Sequence, residues 1–188
     1  MTGLTTLYIG LAGLALSLLY PPLKYIALGD VVIVLCYAVL PMVGMSYILT
    51  NQIDWNILWI APPIALITDA ILHSNNTRDV KRDKVANIKT FAMLIGPRLS
   101  SYLYVFEMIL PYLWIVVVAC FTFYLPIRTI WLVLLSLPIA LANIRQMLRF
   151  LKDKNIETIA NLDEKTAPLQ LMFSLLLSIS MLIDKWIW

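Results

Sequence analysis

Val31-Val-Ile-Val-Leu-Cys-Tyr-Ala-Val-Leu-Pro-Met-Val-Gly-Met-Ser-Tyr-Ile-Leu-Thr50 runs twenty residues without a charged side chain. That is the length an α-helix needs to cross the hydrocarbon of a bilayer. Five further apolar stretches flank it, at Leu4–Leu19, Trp55–Thr68, Leu99–Leu125 (interrupted by Glu107), Thr129–Asn143 and Leu169–Ile183. In lipid only helices and closed barrels satisfy every backbone donor and acceptor, so these stretches are expected to be six spanning helices in an all-α, polytopic transmembrane bundle. Composition agrees: 61% of the 188 residues are hydrophobic and 13% charged, with a mean hydropathy of +0.85. No internal repeat or linker divides the chain, so residues 1–188 read as one membrane domain.

Lys and Arg accumulate in cytoplasmic loops. With loops alternating sides, one side collects Lys24, Arg78, Lys81, Arg82, Lys84, Lys89, Arg98, Arg145, Arg149, Lys152, Lys154 and Lys165, twelve of the fourteen. The other keeps Arg128 and Lys185. The six-span topology and this orientation support each other and put both chain ends outside. The net charge of +3 follows from the topology and implies no nucleic acid. Met1–Tyr8 carries no charged side chain and no signal-peptide pattern, an odd start for a helix inserted amino end first, and the expectation is that helices are missing upstream. Cys36 and Cys120 lie in apolar stretches without ligand spacing and read as packing residues. Pro41, Pro62, Pro63, Pro111 and Pro138 fall inside predicted spans, where membrane helices kink.

The charged side has three loops. Tyr20-Pro-Pro-Leu-Lys24 through Gly29-Asp30 is short and stiffened by its prolines, with Gly29 expected at the turn. His73 to about Arg98 holds two acids and six bases. Arg145 to Thr166 is mixed in charge and reads as a solvated loop at an anionic leaflet.

If the helix ending near His73 continues past the membrane, each residue advances about 100° around its axis. With Asn76 at zero, Asp79 falls at about 300°, Asp83 at about 340° and Asp69 at about 20°. The bases Arg78, Lys81 and Arg82 fall on other faces, so the acids are not expected to be matched in helical ion pairs. Carboxylates on one stripe repel unless a cation sits among them, and hard oxygen ligands suit magnesium, which commonly completes its shell with phosphate oxygens. Lys24, with Arg78 or Lys81, could balance a diphosphate on that metal. Asp69, near the end of an apolar span, is a functional candidate by its cost in lipid, against the alternative that it snorkels to the interface. Glu107 is expected to line a cavity inside the bundle. His73 carries no assigned role.

These residues resemble a known family. Asp69 through Asp83, continuing through Thr90-Phe-Ala-Met-Leu-Ile-Gly96-Pro97, is similar to the second aspartate-rich loop of the UbiA superfamily of intramembrane prenyltransferases. Its Asn-Asn-x-Arg-Asp-x-x-x-Asp form is nearest the 1,4-dihydroxy-2-naphthoate polyprenyltransferases of menaquinone synthesis and their animal vitamin K2-forming relatives. Tyr20-Pro-Pro-Leu-Lys24, Leu28-Gly29-Asp30 and Leu162-Asp-Glu-Lys-Thr166 resemble that family's flanking loops. The resemblance implies a nine-helix fold, of which this chain would supply the C-terminal two-thirds. It implies a magnesium-dependent transfer of a polyprenyl group from its diphosphate to an aromatic acceptor. Asn76, Asp79 and Asp83 would hold metal, with Asp69, Asp79 and Asp83 as the catalytic acids. Lys24, Tyr20, Arg78, Lys81 and Asn75 would bind or adjoin the diphosphate. Asn87 stands where family members usually have glycine.

The first aspartate-rich loop does not precede Tyr20, so a separate N-terminal fragment would be a partner. The alternatives are a truncated or degenerate membrane protein that binds prenyl lipid or a partner without turnover, and a small transporter, whose charges should lie nearer the midplane. The pattern favours a bacterial plasma membrane and is also compatible with a eukaryotic internal membrane.

Overall fold

A computed structural model of the chain describes residues 3–121, Leu125 and residues 129–187. Six helical rods follow the six apolar stretches, and the described residues contain no strand. The first rod is α1 (Gly3–Lys24). The second joins α2 (Gly29–Val34), a π-helical stretch Leu35–Val39 and α3 (Leu40–Thr50). The third opens with a 3-10 turn, Trp55–Trp59, and continues as α4 (Ala61–Arg78), with the short α5 (Val80–Val85) beyond it. The fourth is α6 (Phe91–Phe121). The fifth joins a 3-10 stretch, Ile130–Ser136, to α7 (Leu137–Asp153), and the sixth follows a 3-10 turn, Ile156–Ile159, with α8 (Leu162–Ile187).

Five rods are long and apolar enough to cross a membrane; the third is not among them. Its helix starts at Ala61, with Pro62 and Pro63 in the first turn where their missing N–H groups cost nothing, and runs to Arg78, ten residues beyond the end of the apolar stretch at Thr68 and five beyond His73. The reason is its position. α4 packs against α2, α6 and α8, and its face toward them carries the buried His73, Ser74, Asn76 and Thr77. A helix wrapped by others can carry polar groups that a lipid-facing one cannot. Conversely α1 buries no residue, and its leucines are exposed in the manner of a lipid-facing surface. It packs against α3, where a Cβ on Gly44 would stand 3.3 Å from Ile9 Cγ2.

The expected loops are largely helical. The stretch from Arg145 remains in α7 as far as Asp153, so only a short connection separates it from α8. α6 begins eight residues before the expected Leu99 and is broken at Gly96, whose φ of 77° and ψ of 166° interrupt the helix before Pro97 restarts it. The turn after α1 departs from expectation: Gly29 is helical and buried, and Ala27 takes the left-handed conformation (φ 63°), with Leu28 N–H closing onto Leu23 O at 3.0 Å. Arg128, placed opposite the basic loops by sequence, lies outside the described residues.

The core runs through α4, α6, α7, α8 and the 3-10 stretch before α7, and is tied by buried hydroxyls. Thr166 donates to Leu162 O, so its oxygen accepts from Tyr104 Oη at 2.7 Å. Tyr112 Oη meets Ser136 Oγ at 2.8 Å, and the Tyr112 ring stands edge-on to Phe173 at 5.4 Å between centroids. Such interhelical hydrogen bonds average below a kilocalorie each in membranes. Tyr104→Phe is therefore expected to lower stability by about 1 kcal/mol, read as a fall in melting temperature in detergent of roughly 2–4 °C. Tyr102→Phe, at an exposed position, is the matched substitution that should leave the melt unchanged.

Candidate functional site

α4 ends because Asp79 leaves helical geometry (φ −89°, ψ 6°), yet Asp79 N–H still reaches Asn75 O and Asp83 N–H reaches Asp79 O, each at 2.9 Å. α4 and α5 thus form one rod with a jog at Asp79. The helical stripe survives the jog in part. Asn76 is 3% exposed and Asp83 6% exposed, and Asn76 Oδ1 and Asp83 Oδ2 are buried without a hydrogen-bond partner. Asp69 Oδ1, about two turns before Asn76 on α4, is likewise unpartnered. Asp79 differs. Arg82 holds its Oδ2 at 2.5 Å and Arg78 Nε its Oδ1 at 3.2 Å, so the stripe's middle acid is ion-paired, contrary to the sequence expectation. Arg82 is three residues on, a spacing at which helical side chains meet.

The α1 turn brings two more expected residues here. Tyr20 and Lys24 lie within electrostatic reach of Asp83, and both also reach Asp30 at the start of α2. Burial raises the Asp83 carboxyl above the ordinary range; Lys24 and Arg82 oppose the rise, and Asp79 adds to it. Asp30, in the Leu28-Gly29-Asp30 segment, carries no role assigned from the sequence. Asp30, Asp69 and Glu107 interact electrostatically with one another, each has an unpartnered buried oxygen, and Glu107 is only 2% exposed. An acid in the first turn of an apolar span is the signal that could have found Asp30.

Arg78 and Lys81 part company. The Arg78 guanidinium donates to Asp163 Oδ1 at 2.7 Å, to Ala160 O at 2.8 Å, to Asn75 Oδ1 and to Asp79, binding the end of α4 to the start of α8. Asn75 and Asp163 also line a cavity of about 470 Å³ whose wall includes Ile33, Ile71 and Leu72. Lys81 lines a different cavity, beside the break in α6. His73 is structural: its Nε2 lies 3.0 Å from Ser100 O and 2.9 Å from Ser100 Oγ, which also meets Thr77 Oγ1 at 2.5 Å.

Asn87 occupies the turn after α5 at φ 55°, with Ile88 N–H reaching Asp83 O at 2.9 Å. Asparagine tolerates this conformation better than most non-glycine residues, so the turn forms without glycine.

Among the described residues no three His, Cys, Asp or Glu side chains converge as a metal cage. The donor set still fits magnesium, which takes one or two protein carboxylates and otherwise waters and phosphate oxygens. The unpartnered Asp83 and Asn76 oxygens are hard acceptors of that kind, and a cation would offset the burial of Asp83.

The sequence profile of the UbiA prenyltransferase family matches residues 1–178. The chain is 38% identical over 176 residues to UbiA prenyltransferase domain-containing protein 1 of Danio rerio, covering 92% of this chain and 48% of that protein. The human protein of the same name is 36% identical over 175 residues, with 92% and 48% covered. The Drosophila melanogaster homolog is 43% identical over 115 residues, 60% of this chain and 32% of the other. The chain thus spans about half the length of the vertebrate relatives it matches. A multi-pass helical membrane bundle, with the aspartate-bearing rod at its centre and a profile match along nearly its whole length, makes this chain a member of the UbiA prenyltransferase family.

Proposed function

We propose that the chain takes part in transferring a polyprenyl group from a prenyl diphosphate to an aromatic acceptor such as 1,4-dihydroxy-2-naphthoate, as in menaquinone synthesis. The observation that carries this reading is the pair of buried, unpartnered oxygens on Asn76 and Asp83, beside Lys24. Bound there, magnesium would draw negative charge from a departing diphosphate. Lys24 and Tyr20 would hold that diphosphate at the membrane edge and stabilise charge developing on it in a water-poor site. Asp79, ion-paired with Arg78 and Arg82, would orient the rod and join the metal by releasing one arginine. The cavity lined by Asn75 and Asp163, with Ile33, Ile71 and Leu72 in its wall, would hold part of the prenyl chain. The edge carrying this site would face the cytoplasm, where the basic residues collect.

The test uses membranes containing the chain, alone and coexpressed with the N-terminal portion of a relative, incubated with labelled prenyl diphosphate, dihydroxynaphthoate and magnesium. Prenylated naphthoquinol in either arm, lost with EDTA and restored by magnesium, supports the proposal. Product formation indifferent to EDTA overturns the metal assignment. Retention of prenyl diphosphate with no product in either arm supports the lipid-binding alternative.

A further inference from the structure

Lys81 opens a second site. It lines a cavity of about 690 Å³ bounded by the end of α4, the break in α6 and the end of α7. Four of the lining side chains are cationic, Arg78, Lys81, Arg98 and Lys154, and none is acidic. Arg78 is neutralised by Asp79 and Asp163, but the side chains of Lys81, Arg98 and Lys154 make no ion pair or hydrogen bond among the described residues. The nearest acid in sequence to Lys154 is engaged elsewhere: Asp153 accepts from Asn155 N–H and from Thr158 Oγ1, both at 2.9 Å.

Three solvent-exposed bases from three different elements, gathered around one hollow with no acid in its lining, give that hollow a positive potential that favours an anion. The backbone adds to this. Gly96 breaks α6, so Pro97 and Arg98 begin a new helical segment at the cavity wall, where the helix dipole is positive and the first N–H groups lack intrahelical acceptors. Apart from the hydroxyls of Thr77 and Tyr102, the rest of the wall, Met93 and Leu151 among it, is apolar. Leu94 and Leu99, on either side of the break and next in sequence to the lining residues Met93 and Arg98, are 65% and 59% exposed. The hollow therefore sits where an apolar surface gives way to positive charge.

We infer that this cavity binds a phosphate-bearing anion at the membrane edge, through Lys81, Arg98 and Lys154. An anionic phospholipid is the source the surroundings favour: its headgroup phosphate would lie among the three bases and its acyl chains along Leu94 and Leu99. Basic pockets between membrane helices on a cytoplasmic face hold anionic headgroups in this manner. The volume suits a ligand of headgroup size. The site is separate from the Asn76 and Asp83 oxygens and does not rest on the prenyl-transfer reading.

Native mass spectrometry of the purified full chain in detergent, titrated with dioleoylphosphatidylglycerol, with dioleoylphosphatidylcholine and with inorganic phosphate, tests the inference. The wild type should retain phosphatidylglycerol in preference to phosphatidylcholine, and the Arg98→Gln, Lys154→Gln double variant should retain it roughly tenfold less or worse. Lys152→Gln, which removes a charge from the same end of α7 but not from the cavity, should bind as the wild type does, and an unchanged melting temperature shows that the double variant is folded. Binding of inorganic phosphate that the double variant loses, without a preference between the two lipids, keeps the phosphate site and assigns it a soluble ligand. Equal phosphatidylglycerol retention by wild type and double variant, or an equal loss in Lys152→Gln, overturns the inference.

Discussion

Asp83→Asn is expected to reduce prenyl transfer by about 100-fold or more while leaving the protein as stable as the wild type or more so, because the two effects draw on opposite properties of one carboxylate. In the proposed reaction, the negatively charged Asp83 oxygen would lie where metal and diphosphate meet, and losing one such electrostatic contact typically lowers turnover by about 10²–10³. For the fold, Asp83 is a burden: it is buried, one oxygen has no partner, and its neighbour Asp79 repels it. An amide removes the charge at nearly constant shape. A raised carboxyl pKa means that the folded chain holds a proton the unfolded chain has released, so wild-type stability falls as pH rises through that range. Melts recorded in EDTA should show this decline in the wild type and a flatter profile in Asp83→Asn. Activity and melting temperature falling together would show that Asp83 serves the fold and would remove it from the proposed site.

Arg78→Ala should behave in the reverse sense, lowering stability by about 2 kcal/mol, or roughly 4–8 °C in melting temperature. One guanidinium ties Asn75 and Asp79 on the central rod to Ala160 and Asp163 at the head of α8. Its removal leaves two carboxylates, the Ala160 carbonyl and the Asn75 amide oxygen each short of a donor, although partial exposure of the pair softens the loss. Arg78→Lys should recover little, since an ammonium cannot span these partners with a planar fork. A variant melting within a degree of the wild type would mean that the α4 to α8 junction does not depend on this residue.

Much of the architecture could be read from hydrophobic runs, because a lipid solvent imposes length and polarity on every rod it touches. The exception shows the limit of that signal. α4 is shielded by its neighbours, so its length is set by partners such as Ser100 and Asp163, which lie far away in sequence. Periodicity placed Asn76, Asp79 and Asp83 together, and the structure keeps them on one rod. It could not say that Arg82 would turn back on Asp79 or that Lys81 would face α6 and α7, since a helical wheel records angle and not neighbours. Ala27 and Asn87 make the same point for turns. Both adopt a left-handed conformation that composition assigns first to glycine, and each is held there by a hydrogen bond from the following residue back to the preceding helix.

The polarity of α4 also bears on how the protein is made. A segment with Asp69, His73 and Asn76 along it gains little by entering lipid alone, and the acceptors for its polar side chains lie later in the chain: Ser100 on α6 for His73 and Thr77, Asp163 on α8 for Arg78. During synthesis α4 emerges before either. Its stable integration must therefore await translation of α6, and α4 and α6 would leave the translocon as a pair, with α8 locking the assembly last.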